Sequence, residues 1–69
     1  GGGSAVQFAE DGLPFKEAKQ RVLDEFEAAY LTALLAKHGD NVTRTAQAAG
    51  LTRYHLRELA KKYGIRGGD

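Results

Sequence analysis

The spacing of apolar and polar positions along the chain predicts three helices. From about Pro14 to Lys37 there is no internal glycine or proline, and apolar residues recur every three to four positions. Two shorter segments, VTRTAQAA and RYHLRELAKKY, show the same period and are joined by Gly50, Leu51 and Thr52. No stretch alternates with the two-residue period of a strand. The predicted fold class is all-α, a long N-terminal helix followed by a helix-turn-helix.

The ends of the two short helices carry residues that helix termini favour. Asn41 and Thr52 each precede a predicted helix, where a side-chain oxygen can accept a hydrogen bond from a free backbone N–H. Gly50 and Gly64 each follow one, where a left-handed backbone needs no Cβ. Two helices joined by a short glycine-containing turn form the helix-turn-helix motif, whose second helix can enter the major groove of DNA.

The second short helix has one apolar face and one cationic face. Leu56, Leu59, Ala60 and Tyr63 recur at core-facing spacing. The opposite face carries Tyr54, Arg57, Glu58 and Lys61, flanked by Arg53, His55 and Lys62. Arginine near the start of such a helix can reach base edges, whereas arginine or lysine further along can contact phosphates. An ordinary solvated basic face is the open alternative. The residues predicted to contact DNA are Thr43, Arg44, Thr52, Arg53, Tyr54, His55, Arg57, Lys61 and Lys62.

The predicted long helix carries two apolar stripes. A broad one runs from Phe15 to Leu34, and a second, which includes Ala28, Leu31 and Leu35, lies roughly opposite. Two short helices can cover one side, so a second copy of the protein is the simplest cover for the other. The alternative is that the short helices cover both sides. We predict a homodimer through the long helix, with an interface formed by Phe26, Ala28, Tyr30, Leu31 and Leu35.

The two ends of the chain show no helical or strand pattern. Residues 1–12 contain four glycines and are expected to form a flexible linker or a remnant of cloning. Residues 67–69 are expected to form a frayed tail, and the predicted domain spans residues 13–66.

Charge is distributed unevenly along the chain. The 69 residues have a formal net charge of only +1. Residues 1–40 carry four basic and seven acidic groups, whereas residues 41–69 carry six basic and two acidic groups. The positive charge therefore lies on the predicted helix-turn-helix, where contacts to phosphate would need it.

Composition also narrows the classes of function. The chain has no cysteine, which excludes a disulfide framework and a thiolate metal site, and no run has transmembrane length. His38 and His55 are too few and too far apart for a metal site, and the acidic residues of the long helix are expected on a solvated surface. We therefore expect no enzymatic activity, no cofactor, no metal and no membrane association.

The segment LPFKEAKQRVLDEFEAAYLTALLAKHGDNVTRTAQAAGLTRYHLRELAKKYGI resembles the Fis-type DNA-binding domain. The most specific parts are the block EFEAAYLTALLAKHGDN and the pattern NxTRxAxxxGLxRxxLR, which starts at Asn41. This domain occurs in the factor for inversion stimulation. It also occurs at the C-terminus of bacterial enhancer-binding activators of the nitrogen-regulatory-protein-C type. The resemblance covers residues 13–65 and marks the basic residues of the helix-turn-helix as DNA contacts.

The resemblance implies a homodimer whose second helix-turn-helix helices enter successive major grooves of double-stranded DNA. In the activators this domain follows an ATPase domain that acts on sigma-54 RNA polymerase, and it tethers that machine to a two-fold symmetric enhancer site. This chain contains no ATPase residues, so that contact would belong to another part of a longer protein. The implied location is the bacterial cytoplasm, at the nucleoid. Two alternatives stay open, a free-standing architectural DNA-binding protein of the Fis kind and a helical dimerisation or protein-interaction module without DNA binding.

Overall fold

The computed structural model describes residues 4–65, and this part of the chain is all-α. α1 spans Ser4–Glu10, α2 spans Phe15–Lys37, α3 spans Val42–Ala49 and α4 spans Arg53–Tyr63. At 1.5 Å per residue, the 23 residues of α2 extend about 35 Å. The predicted long helix and helix-turn-helix are confirmed. The frayed tail predicted at 67–69 lies outside the described residues.

The first helix differs from the expectation drawn from the sequence. Residues 1–12 show no helical pattern, yet Ser4–Glu10 form α1, so the expectation of a flexible linker is wrong for residues 4–10. Residues 1–3 lie outside the described part of the chain. Ala5 and Ala9 of α1 line a groove against α2, and Phe8 is half-buried. A seven-residue helix is too short to be stable alone. Contact with α2, which no local pattern reveals, therefore accounts for this helix.

Both predicted N-caps of the helix-turn-helix are confirmed. The Asn41 side-chain oxygen accepts the backbone N–H of Arg44 at 2.9 Å, and Thr52 Oγ1 accepts the backbone N–H of His55 at 3.0 Å. The glycines that follow α3 and α4 have φ angles of 75° and 67°, in the left-handed region. These hydrogen bonds and glycine conformations end α3 and begin α4 within a short turn.

One small core lies where α2, α3 and α4 meet. α2 contributes Leu31 and Leu35, α3 contributes Val42 and Ala46, and α4 contributes Leu56. None of these five side chains is more than 5% exposed. The small Ala46 lets the helices approach closely, as helix-turn-helix packing requires. Three partly buried residues pack against this cluster, namely Leu51, Leu59 and Ile65.

The predicted dimer interface took residues from both apolar stripes of α2, and the structure buries only one of the two stripes. Leu31 and Leu35 are buried inside the protomer, so their assignment to a dimer interface is wrong, and Ala28 on the same side is half-buried. Phe26 and Tyr30 remain on the surface, 60% and 44% exposed, with ring centroids 5.5 Å apart. The short connection after α2 folds α3 and α4 back onto the narrow stripe, which leaves the broad stripe uncovered by them.

Removing the cap of α4 tests how much the turn contributes to stability. Thr52→Ala removes the oxygen that accepts the N–H of His55, and we expect a loss of about 1 kcal/mol of unfolding free energy. Thr32→Ala is the matched control because Thr32 lies in the middle of α2 and donates only to the carbonyl of Ala28. Urea unfolding followed by circular dichroism measures both variants. Equal stability of the two variants would contradict the role of Thr52.

Candidate nucleic-acid interface

α4 presents a row of cationic side chains outside the core. Arg53, Arg57 and Lys61 follow one another at four-residue spacing, so they lie one turn apart along the same edge of the helix. All three are exposed, whereas Leu56 on the inner side is 1% exposed. Burial of Leu56 therefore sets the rotation of α4 and keeps this cationic row at the surface.

The remaining predicted contacts of α4 lie beside the cationic row in the first turn. Tyr54 is 75% exposed, and its ring projects from the surface. His55 is exposed, and its backbone N–H is held by the Thr52 hydroxyl oxygen. The Thr52 oxygen serves as an acceptor in the cap, so its own O–H can still donate to a phosphate.

Thr43 and Arg44 lie in the first turn of α3. Both side chains are exposed, and the N–H of Arg44 is bonded to Asn41. The free N–H groups of a helix start favour an anion, and a threonine hydroxyl and a guanidinium beside them are suitable phosphate ligands. These two residues offer a second anchoring point beside the cationic row.

Lys62 does not belong to the cationic row. Its Nζ lies 3.6 Å from Asp24 Oδ1 of α2 and 5.1 Å from the centroid of the Tyr63 ring. The side chains of Lys62 and Asp24 remain 52% and 40% exposed, so water screens the ion pair and its contribution to stability is small. The structure therefore directs Lys62 toward α2.

A polar cluster between α4 and α2 was not predicted from the sequence. The Tyr63 hydroxyl lies 2.5 Å from Glu27 Oε1 and 3.1 Å from Asp24 Oδ1. It has one proton, so it donates to one carboxylate at a time. The two carboxylates were expected on a solvated surface, but in the structure both residues are half-buried. The sequence signal was helical spacing, since Glu27 lies four residues and Asp24 seven residues before Leu31, which places both carboxylates toward the inner side of α2.

These contacts shift the pKa values of two members of the cluster. Hydrogen bonding to Glu27, followed by burial and by Asp24, raises the pKa of Tyr63 well above its ordinary value. Asp24 accepts the Gln20 amide at 2.9 Å, and this bond is the largest cause of its lowered pKa. Tyr63 and Lys62 lower it further, and burial opposes them. At neutral pH the phenol is therefore a donor and Asp24 an ionised acceptor.

Two open grooves lie along α2 on either side of this region. One, of about 580 Å³, is lined mostly by apolar residues of α1, α2 and the connection between them, with Lys19 at its edge. The other, of about 370 Å³, runs past Phe26 and Tyr30 to α4. Among residues 4–65, no three His, Asp or Glu side chains are grouped so as to hold a metal ion. No helix in that range combines the length and the apolar character needed to cross a membrane.

The chain is similar to the nitrogen assimilation regulatory protein NtrX of Azorhizobium caulinodans. The two sequences are 37% identical over 54 residues, which is 78% of this chain. The chain spans only 11% of the length of that protein. No family model matches the chain. No solved structure matches it significantly.

Proposed function

We propose that the chain is the Fis-type DNA-binding domain of a bacterial sigma-54-dependent transcriptional activator, and that it binds double-stranded DNA at a two-fold symmetric enhancer site. The observation that carries this proposal is the exposed cationic row of Arg53, Arg57 and Lys61 on the second helix of a capped helix-turn-helix. The similarity to a nitrogen assimilation regulatory protein supports the regulatory setting. The domain has no enzymatic activity of its own in this proposal.

Each group of residues has a distinct part in binding. α4 enters the major groove, where Arg53 and Arg57 bind guanine O6 and N7 and so select sequence. Lys61 contacts phosphate, and Thr43 and Arg44 hold the backbone at the start of α3. Phosphate contacts set affinity and its salt dependence, whereas base contacts set sequence preference. Tyr54 and His55 lie beside the arginines, within the same surface of α4.

The proposed homodimer uses the uncovered stripe of α2. Phe26 and Tyr30 are 60% and 44% exposed on this stripe. Nearer the start of α2, Phe15, Val22 and Leu23 are also exposed, and there they line the groove between α1 and α2. Exposed apolar side chains that recur along one face of a helix are typical of a protein–protein contact. Pairing two such faces would bury them and place two copies of α4 on one side of a DNA duplex.

Phe26→Asp tests this interface. A buried, unpaired carboxylate would oppose pairing of the two helices, so we expect the dimer dissociation constant to rise by at least about tenfold. Sedimentation equilibrium over a range of protein concentrations measures it. Tyr54→Asp is the control because Tyr54 is also an exposed aromatic residue, 75% exposed against 60% for Phe26, and lies on α4 away from the stripe. A monomeric wild type, or an unaltered Phe26→Asp dimer, would contradict the interface.

The wider setting follows from the same proposal. An ATPase domain elsewhere in a longer protein would contact sigma-54 RNA polymerase, and this domain would hold it at the enhancer. The place of action is the bacterial cytoplasm, at the nucleoid. The ATPase domain, the polymerase contact and the cellular location belong to the activator assignment, since no contact within residues 4–65 involves them.

Selection of bound duplexes from a random pool at near-physiological salt tests the function. A two-fold symmetric motif, with half-sites about one helical turn apart, is the expected result. Enrichment without symmetry would favour an architectural protein that reads DNA shape. The absence of any salt-sensitive retention of DNA would overturn the proposal and leave the protein-interaction module.

A further inference from the structure

Tyr63 joins the last turn of α4 to the middle of α2. Its hydroxyl bonds to Glu27 and Asp24, which are 36 and 39 positions away in the sequence. Lys62 next to it reaches the same Asp24 carboxylate. Gln20 holds that carboxylate from the other side with a hydrogen bond of 2.9 Å. A small polar network thus attaches the end of the helix to α2, in addition to the apolar packing of Leu59 and Ile65.

The most deeply buried residue of α4 lies in the first half of the helix. Leu56 is 1% exposed, whereas Leu59, Ala60 and Tyr63 are only half-buried. Leu56 and Tyr63 lie seven residues, or about 10 Å, apart along the helix axis. A tilt of α4 about Leu56 by roughly 10° would move its C-terminal end by about 2 Å over that length. The polar network adds to the packing of Leu59 and Ile65 against the core, and together these contacts oppose such a tilt.

The same turn of α2 faces α4 on one side and the uncovered apolar stripe on the other. Glu27 points to Tyr63, while its neighbour Phe26 is 60% exposed on the proposed dimer surface. In the proposed dimer through this stripe, the angle between α2 and α4 would set the separation of the two copies of α4. A change of about 2 Å at the end of each helix is more than half of the roughly 3.4 Å rise per base pair.

We propose that Tyr63 is a positioning residue whose hydroxyl, held by Glu27 and Asp24, sets the tilt of α4 against α2 and thereby the half-site spacing that a dimer accepts. The part concerning half-site spacing rests on the proposed DNA-binding function. The effect of the Tyr63 hydroxyl on the tilt of α4 is a property of the protein alone and is tested without DNA.

The test without DNA measures the distance between α2 and α4. The chain has no cysteine, so spin labels attach only at introduced positions, Glu17→Cys on α2 and Glu58→Cys on α4. Pulsed electron paramagnetic resonance measures the distance between the two spin labels. An excess of unlabelled protein ensures that each oligomer contains only one labelled chain. We expect a narrow distance distribution in the wild type and a shifted or broadened one with Tyr63→Phe, which removes only the hydroxyl. An unchanged distribution would overturn the proposal.

Three further variants separate positioning from simple loss of structure. Glu27→Ala combined with Asp24→Ala is expected to reproduce the effect of Tyr63→Phe, and addition of Tyr63→Phe to that pair should change nothing more. Glu25→Ala removes an exposed carboxylate of the same helix and should leave the distribution unchanged. Circular dichroism checks that helix content is retained. If Tyr63→Phe does not fold, Glu27→Ala alone takes its place.

The test with DNA varies the spacing of two selected half-sites by one and two base pairs. The wild type is expected to discriminate between spacings by about tenfold and Tyr63→Phe by about threefold or less, a difference that one hydrogen bond can supply. Preference among bases within a half-site should not change. Retained spacing discrimination in Tyr63→Phe would overturn the link to DNA. A wild type that binds no DNA would refute the proposed function, while the spin-label distances would still decide the role of Tyr63.

Discussion

Replacing Arg53 and Arg57 together by alanine is expected to lower DNA affinity by at least about thirtyfold. Each bidentate contact to guanine contributes about 1–3 kcal/mol, so the loss of two corresponds to roughly 2–6 kcal/mol. Both side chains are exposed on α4, outside the core cluster, so the fold should be retained. Fluorescence anisotropy with a selected duplex at fixed salt measures the dissociation constant.

The control for this pair keeps the change in net charge the same. Lys16→Ala with Arg21→Ala also removes two positive charges, but from exposed positions on α2. We expect this control to bind DNA with nearly the wild-type constant. Equal losses in the two double variants would mean that net charge, rather than the cationic row, determines binding. Undiminished binding by the Arg53 and Arg57 variant would refute the groove assignment.

Leu56→Ala is expected to have the largest effect on stability. Leu56 is 1% exposed and packs among the apolar residues that α2 and α3 contribute to the core. Truncation of a leucine in such a site costs about 2–5 kcal/mol, through lost burial and the cavity left behind. Small domains have unfolding free energies of only about 5–15 kcal/mol, so a large share of the stability would be lost. Urea unfolding followed at a helical circular dichroism band measures it.

Tyr54→Ala is the matched control on the same helix. It removes a larger side chain than Leu56→Ala does, but from a position that is 75% exposed. A change of less than about 0.5 kcal/mol is expected there because surface substitutions rarely exceed that amount. Comparable destabilisation by both variants would show that α4 does not pack through Leu56.

The helix-turn-helix was largely predictable because its determinants are local. Asn41 and Thr52 cap helices with hydrogen bonds to residues three positions away, and the glycines after α3 and α4 take left-handed conformations. The rotation of α4 follows from Leu56 and its neighbours at helical spacing. The exposed positions of Arg53 and Arg57 then follow from the same periodicity. Their contact with DNA stays a prediction.

The use of the two stripes of α2 was not predictable in this way. Both are apolar, and periodicity shows only that each should be covered, without showing by what. Leu31 and Leu35 on the narrow stripe are covered by α3 and α4, and the broader stripe with Phe26 stays exposed. α1 was not predicted for a related reason. It has only seven residues, and so short a helix is stable only through contact with another element, here α2.

By itself, the sequence determined which segments are helical from residue 15 to residue 63, where the two short helices begin and end, and which side of α4 is cationic. These properties depend on hydrogen bonds and side-chain periods within a few residues. Only the tertiary structure decided which stripe of α2 forms the core and that Tyr63 meets Glu27 and Asp24. Contacts between residues 36 and 39 positions apart depend on how the helices pack, and no local pattern encodes that packing.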